Sequence, residues 1–173
     1  AIEYEACIVT FIDVLGFRAL VTNRSAADVH RVIKALERFT KPADAGIVRT
    51  DDRLVSQAHA QSVSDAIVRV RPYKTKYRDG ALVHEILDLL HAQIELVNLG
   101  VLIRAGLTVG NAYLPPKGDG PVFGPAMVRA YEIESQEAVY PRIVIDDDAL
   151  EQHKLDPLLR SEDNSSAEEQ TLL

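Results

Sequence analysis

Ala6-Cys7-Ile8-Val9-Thr10-Phe11-Ile12-Asp13-Val14 is a run of apolar and β-branched residues with one charge, Asp13, near its end. Such a run reads as a strand buried in a sheet. Leu15-Gly16-Phe17 then turns the chain. A carboxylate set into a β-branched strand is costly to bury unless something compensates it. The stretch therefore marks a central strand and a first candidate for chemistry.

Working outward, Ser25 is suited to cap a helix over 26–39, where Val29, Val32, Ile33, Leu36 and Phe39 share a face. Lys41-Pro42 ends it, and 43–53 reads as a loop. Two short strands are expected over 54–60 and 62–70, with Asp65 inside the second. Residues 72–80 are polar and form a loop. A long helix follows over 81–99, with Val83, Ile86, Leu87, Leu90, Ile94 and Val97 on its apolar face and Gly100 just beyond its end. A strand over 101–109 carries Arg104, and Gly110-Asn111 signals a turn. Pro115, Pro116, Gly118 and Gly120 mark a loop before a helix that Pro125 opens and that runs to about Gln136. A strand over 142–145 and a short helix over 147–152 capped by Asp146 complete the pattern. The domain is expected to span 1–152, with 153–173 a polar, flexible tail. Strands and helices in this order give an α+β fold, a mixed sheet covered by helices.

Composition narrows the function. The chain has 173 residues, enough for one domain, and 47% of them are hydrophobic, which excludes a disordered chain. A net charge of −7 argues against a general nucleic-acid binder, so no direct nucleic-acid partner is expected. No apolar run approaches the roughly 18–20 residues of a membrane span, and the first ten residues do not read as a signal peptide. The single cysteine, Cys7, excludes a disulfide framework, and the cytoplasm is the expected compartment.

The candidate chemistry centres on Asp13 and Asp65. If their strands pair side by side, two like charges meet across the ladder, and a divalent cation would offset both burial and repulsion. The alternative for each is a strand-end Asp that bonds a turn. Gly16 and Phe17 could present backbone N–H groups to a phosphate, or form a plain turn with Phe17 plugging the core. Arg104 could reach a phosphate or pair with an acid. Arg129 could pair with Glu132 on the helix surface. Glu134 reads as the rim of that helix. The five histidines show no metal-ligand spacing on one expected face, and Cys7 reads as a buried strand residue.

Four segments, in order, resemble the class III nucleotidyl cyclases. Phe11-Ile12-Asp13-Val14-Leu15-Gly16-Phe17 is similar to their first metal-binding strand and Ser64-Asp65-Ala66-Ile67-Val68 to their second. Arg104-x-Gly106-x-x-x-Gly110 resembles the strand after their long middle helix. Phe123-Gly124-Pro125-Ala126-Met127-Val128 resembles the helix entry beside the nucleotide. The resemblance covers about residues 6–146 and implies a ferredoxin-like catalytic domain. It departs from the purine enzymes of the class. Gln61 stands near the position of their base-reading Lys and Pro121 at that of their Asp or Thr. Val128 and Glu132 stand where they carry an Asn and an Arg.

With Ala130-Tyr131-Glu132-Ile133-Glu134-Ser135 and Tyr140-Pro141-Arg142-Ile143-Val144-Ile145-Asp146 added, the pattern is most similar to the uridylate and cytidylate cyclases of the bacterial Pycsar anti-phage systems. That resemblance implies a homodimer with active sites at the interface, UTP or CTP as substrate, and a separate effector activated by the cyclic nucleotide. It implies two Mn²⁺ or Mg²⁺ ions per active site, held by Asp13, Asp65 and the Val14 carbonyl. Gly16 and Phe17 would hold phosphates, and Arg104 or Arg129 would offset transition-state charge. Tyr131, Tyr113 and 43–53 are candidates to fill the space of a purine. UTP is favoured over CTP if an Arg or Tyr donor faces the base. The competing readings are a degenerate cyclase-like sensor or dimerisation domain, and a purine cyclase.

Overall fold

The computed structural model describes residues 2–41, 53, 55–63, 65–115 and 120–161. Its first strand, β1 (Glu5–Val14), follows the expected run almost residue for residue. Two helices come next, α1 (Phe17–Asn23) and α2 (Ala26–Thr40). α1 was not expected; Gly16 enters it in the left-handed region, at φ +77°. Ser25 caps α2 as expected, its hydroxyl accepting from the Asp28 N–H at 3.2 Å.

β2 (His59–Val63) and β3 (Ala66–Pro72) form a hairpin. The first of the two expected strands therefore begins later than 54, and Asp65 sits in the turn between them. α3 (Ala81–Asn98) leads through Gly100, at φ +73°, into β4 (Ile103–Ala112). The Gly110-Asn111 turn does not form. Both residues continue β4, because Cys7 and Ala6 of β1 pair with them. After an isolated bridge between Tyr113 and Phe123 come α4 (Pro125–Gln136), β5 (Ile143–Ile145) and α5 (Asp147–Leu155). A 3₁₀ turn, Pro157–Leu159, seats Leu159 in the core, and His153 is also buried. The described residues continue past 152 to Ser161; 162–173 lie outside the described residues, as do 43–52 of the expected loop.

The described strands make one five-stranded sheet in the order β2-β3-β1-β4-β5. β1 pairs antiparallel with β3 and β4, and β4 pairs parallel with β5. The two faces bury different clusters. On one, Ile8, Ile12 and Val14 pack with Leu36 of α2 and Leu82, Leu89 and Leu96 of α3. On the other, Cys7, Val9 and Phe11 pack with Ala126 and Ala130 of α4. Burial pushes the Cys7 thiol up to about 12, in keeping with an inert core residue.

α3 departs from its expected face. It buries Leu82, Glu85, Leu89, Ala92 and Leu96 and leaves Leu87, Leu90, Ile94 and Val97 exposed. The reason lies in β3, which sends Arg69 and Arg71 to this side. Arg69 Nε donates to Glu85 Oε1 at 2.7 Å, and Arg71 Nε to Glu85 Oε2 at 2.9 Å. Asp88 accepts from both guanidiniums, at 2.8 and 2.5 Å, and Arg69 also reaches the Thr40 carbonyl. Buried charge of this kind is tolerated only when paired. Pairing here turns the acid-bearing side of α3 inward. No described helix is long and apolar enough to cross a membrane.

Candidate active site

Side chains alternate across a strand, so Asp13 lies on the same side of the sheet as Val9 and Phe11, the side covered by α4. Its register partners are Ala66 on β3 and Arg104 on β4. Asp65 precedes Ala66. The two acids therefore approach each other at one end of the sheet, one from a central strand and one from a hairpin turn, where two opposed strand positions were expected.

Their charges are felt. Burial raises the Asp13 carboxyl above its usual range and the Asp65 charge adds to this, against the opposing pull of Arg104 and the Val14 N–H. Arg104 places Nη2 3.2 Å and Nε 3.3 Å from Asp13 Oδ2. Its Nε also stands 2.5 Å from Glu134 Oε1. Of the two readings of Arg104, the ion pair is the one formed.

Glu134 is the residue that the reading as helix rim missed. Its side chain is 3% exposed. The contact with Arg104 lacks hydrogen-bond geometry, so Oε1 is a buried acceptor with no hydrogen-bond donor. Burial raises its carboxyl, Arg104 opposes this, and the charges of Asp13 and Asp65 raise it further. The signal was present in the spacing: Ala126, Ala130, Ile133 and Glu134 fall on one buried stripe of α4.

That stripe sits unusually close to β4. A Cβ at Gly106 would lie 2.3 Å from the Ala130 carbonyl oxygen and 2.7 Å from the Glu134 nitrogen, and one at Gly110 would lie 3.2 Å from Ala126 Cβ. The expected Arg104-x-Gly106-x-x-x-Gly110 spacing is thus a groove for α4.

The other expected site residues are placed as follows. Phe17 packs against the core cluster of α2 and α3, while Gly16 is exposed and no side chain caps α1. Tyr131 is half-exposed and stands edge-on to Phe11, with ring centroids 5.3 Å apart, two residues from Asp13. Tyr113 lies over Phe123 at 4.8 Å. Arg129 does not join Asp13. Its guanidinium donates to both oxygens of Asp146 at 3.0 Å, and it meets Glu137 at 3.4 Å; the expected Glu132 pair is replaced. Asp146 is the N-cap residue of α5, as expected, and its carboxylate also has partners outside the helix. It accepts from Thr108 at 2.7 Å and from Arg129. Thr108 is four residues from Arg104 along β4, roughly 13 Å at the rise of a strand.

Gln61 and Pro121 turn out to be neighbours. The Gln61 amide donates to the Gly120 carbonyl at 3.4 Å and accepts from the Val122 N–H at 3.0 Å, bracketing Pro121. The two positions that depart from the purine enzymes are therefore joined into one strap across β2.

Among the described residues, no group of three or more His, Cys, Asp or Glu is arranged to hold a metal ion. The Asp13–Asp65 pair is what the site offers.

Solved structures share this arrangement of strands and helices. A bacterial light-regulated adenylyl cyclase superimposes with a TM-score of 0.65 at 14% identity, over 87% of this chain and 45% of that one. The adenylyl cyclase CyaB from P. aeruginosa gives 0.59 at 14% identity, over 90% and 84%. The guanylate cyclase domain of RhGC from Catenaria anguillulae, in complex with GTP, gives 0.60 at 19% identity, over 89% and 85%. The chain has the class III cyclase catalytic fold. It spans less than half of the light-regulated enzyme and most of the other two. No family model matches the sequence, and no curated protein matches it. In the class III fold the expected mixed sheet and its covering helices are borne out, with β1 central and Asp13 at its end.

Proposed function

We propose that the chain is a nucleotidyl cyclase that converts a nucleoside triphosphate to the 3′,5′-cyclic monophosphate and pyrophosphate. The observation that carries this reading is the juxtaposition of Asp13, Asp65 and Arg104 at the end of the central strand of a class III cyclase fold. In the reaction the ribose 3′-oxygen attacks the α-phosphorus in line. The 3′-hydroxyl proton passes to water, the bond from the α-phosphorus to the bridging oxygen breaks, and pyrophosphate leaves with that oxygen's electron pair.

Asp13 and Asp65 suit a divalent cation. They repel one another, and Asp13 is partly desolvated with a single guanidinium beside it. With the Val14 carbonyl they would hold two Mn²⁺ or Mg²⁺ ions. Such ions make a hydroxyl more acidic and neutralise phosphate charge. The remaining work falls to the chain. Arg104 offsets charge developing on the phosphates. The N–H groups of Gly16 and Phe17 steady the triphosphate. Arg129, held by Asp146, secures α4 to the end of β5.

A pyrimidine substrate is the finer reading. Gln61 and Pro121 carry no charge to read a purine, and the Gln61 amide is engaged in the strap around Pro121. Tyr131, beside Phe11, narrows the same side of the sheet. UTP is favoured over CTP if an Arg or Tyr donor faces the base. Exposed Phe123, Val128 and Tyr131 on the α4 side suit a homodimer with the sites at its interface. A role in anti-phage signalling through a separate effector rests on the resemblance of the motifs alone. The second reading, a purine cyclase, is favoured by the similar solved structures, which are named as adenylyl and guanylyl cyclases.

The test is incubation with each of ATP, GTP, CTP and UTP in the presence of Mn²⁺, with products resolved by mass. A cyclic pyrimidine nucleotide supports the reading in full. Product from ATP or GTP alone supports the purine enzyme. No product from any of the four supports a cyclase-like domain without catalysis.

A further inference from the structure

Two carboxylates, Asp13 and Glu134, flank the Arg104 guanidinium at the end of β1, and the charge of a third, Asp65, reaches both acids. Asp13, Asp65 and Glu134 act on one another electrostatically, and Arg104 contacts two of them. Its Nε is shared: 3.3 Å from Asp13 and 2.5 Å from Glu134. Arg104 is thus the resident counter-ion of Asp13, in the position a bound cation would contest. A guanidinium left on Asp13 competes with a divalent cation for the carboxylate, and the two positive charges repel. Relief needs a second anion that is already in place. Glu134 fits that need. It is buried, its Oε1 has no hydrogen-bond donor, and the close seat of α4 on Gly106 fixes it independently of Arg104.

We propose that Glu134 is a positioning residue that retains Arg104 when Asp13 is given over to a divalent cation, so that the guanidinium shifts from one acid to the other within the site. The proposal rests on the cyclase reading for its metal and for nothing else. Glu134 itself need not touch the ion.

The experiment is a Mn²⁺ titration of the full chain without nucleotide, followed by the electron paramagnetic resonance signal of free Mn²⁺. Wild type binds and D13N does not. E134Q, which weakens the rival claim on Arg104, binds about tenfold more weakly. R104Q, which removes the competitor, binds more tightly than wild type. In the R104Q background E134Q changes the affinity less than about twofold, because nothing remains to be positioned. E134D, which keeps the charge, serves in place of E134Q if that variant does not fold, and falls between it and wild type.

Equal binding by E134Q and wild type overturns the proposal while leaving the metal site intact. Equal weakening in both backgrounds overturns it in favour of Glu134 as a direct ligand. Absence of Mn²⁺ binding by wild type defeats the metal reading and the proposal together.

Discussion

Asp13 and Arg104 are direct partners in the antiparallel register of β1 and β4, and their side chains meet at 3.2 Å across the ladder. Both residues are thus placed by paired backbone, at the ends of two inner strands of the sheet. Sites built on such elements hold their geometry more tightly than sites on loops.

D13N and D65N each lower cyclase turnover by more than about a hundredfold. Stability gives the control. The folded-state value of Asp13 lies above the usual one, so its ionised form at neutral pH works against the fold. D13N therefore unfolds at the same temperature as wild type, or higher, when no divalent cation is added. A D13N chain that melts well below wild type means that lost activity reports a damaged fold.

Glu85 governs the acid limit. Burial alone would raise its carboxyl, but the guanidiniums of Arg69 and Arg71 hold it at about 2, against an ordinary 4.5. A lowered folded value contributes stability that is complete above 4.5 and is lost as the pH falls towards 2. Thermal midpoints measured across that window fall steeply for wild type and less so for E85Q. At neutral pH, E85Q costs about 3–5 kcal/mol, because it leaves two buried guanidiniums short of an acid.

G106A places a methyl group against the backbone of α4, so the helix must move. The expected loss is about 1–3 kcal/mol by denaturant titration, accompanied by loss of turnover, since α4 carries Glu134. G110A meets the Ala126 methyl at 3.2 Å and its Cα at 3.8 Å, and is the milder change. Equal stability for G106A and wild type would show that β4 and α4 are not in such close contact.

R104A and R129A separate the two arginines. R104A abolishes turnover. R129A strips the buried Asp146 of its bidentate partner and lowers stability by roughly 1–3 kcal/mol, while turnover per folded molecule stays near wild type. Kinetics paired with denaturation curves check both. Turnover lost in R129A at unchanged stability would move Arg129 into the catalytic machinery.

Much of the frame could be read from local signals. The β-branched run of β1, the Ser25 cap of α2 and the Gly124-Pro125 entry to α4 each speak through a few adjacent residues. The errors arise where a distant partner decides. α3 has two apolar stripes, and the one holding Leu87, Leu90, Ile94 and Val97 looks the better core. It faces water because Glu85, on the other stripe, belongs to Arg69 and Arg71. Gly110-Asn111 has turn chemistry but lies opposite Ala6 and Cys7, and the ladder prevails. Asp13 and Asp65 stood out as acids near apolar strands. Glu134 did not, because its meaning comes from Arg104, thirty positions earlier in the chain.

The charged seam between β3 and α3 bears also on how the sheet finds its pairing. Arg69 lies opposite Thr10 and Arg71 opposite Ile8, so both guanidiniums emerge on the α3 side. A slip of one residue would send them to the other side, into the apolar cluster of Val9, Phe11, Ala126 and Ala130 and away from Glu85 and Asp88. An all-apolar β3 would tolerate either pairing. With its two arginines, the strand rejects the wrong partner alignment during folding, and the seam proofreads the register that sets Asp65 beside Asp13.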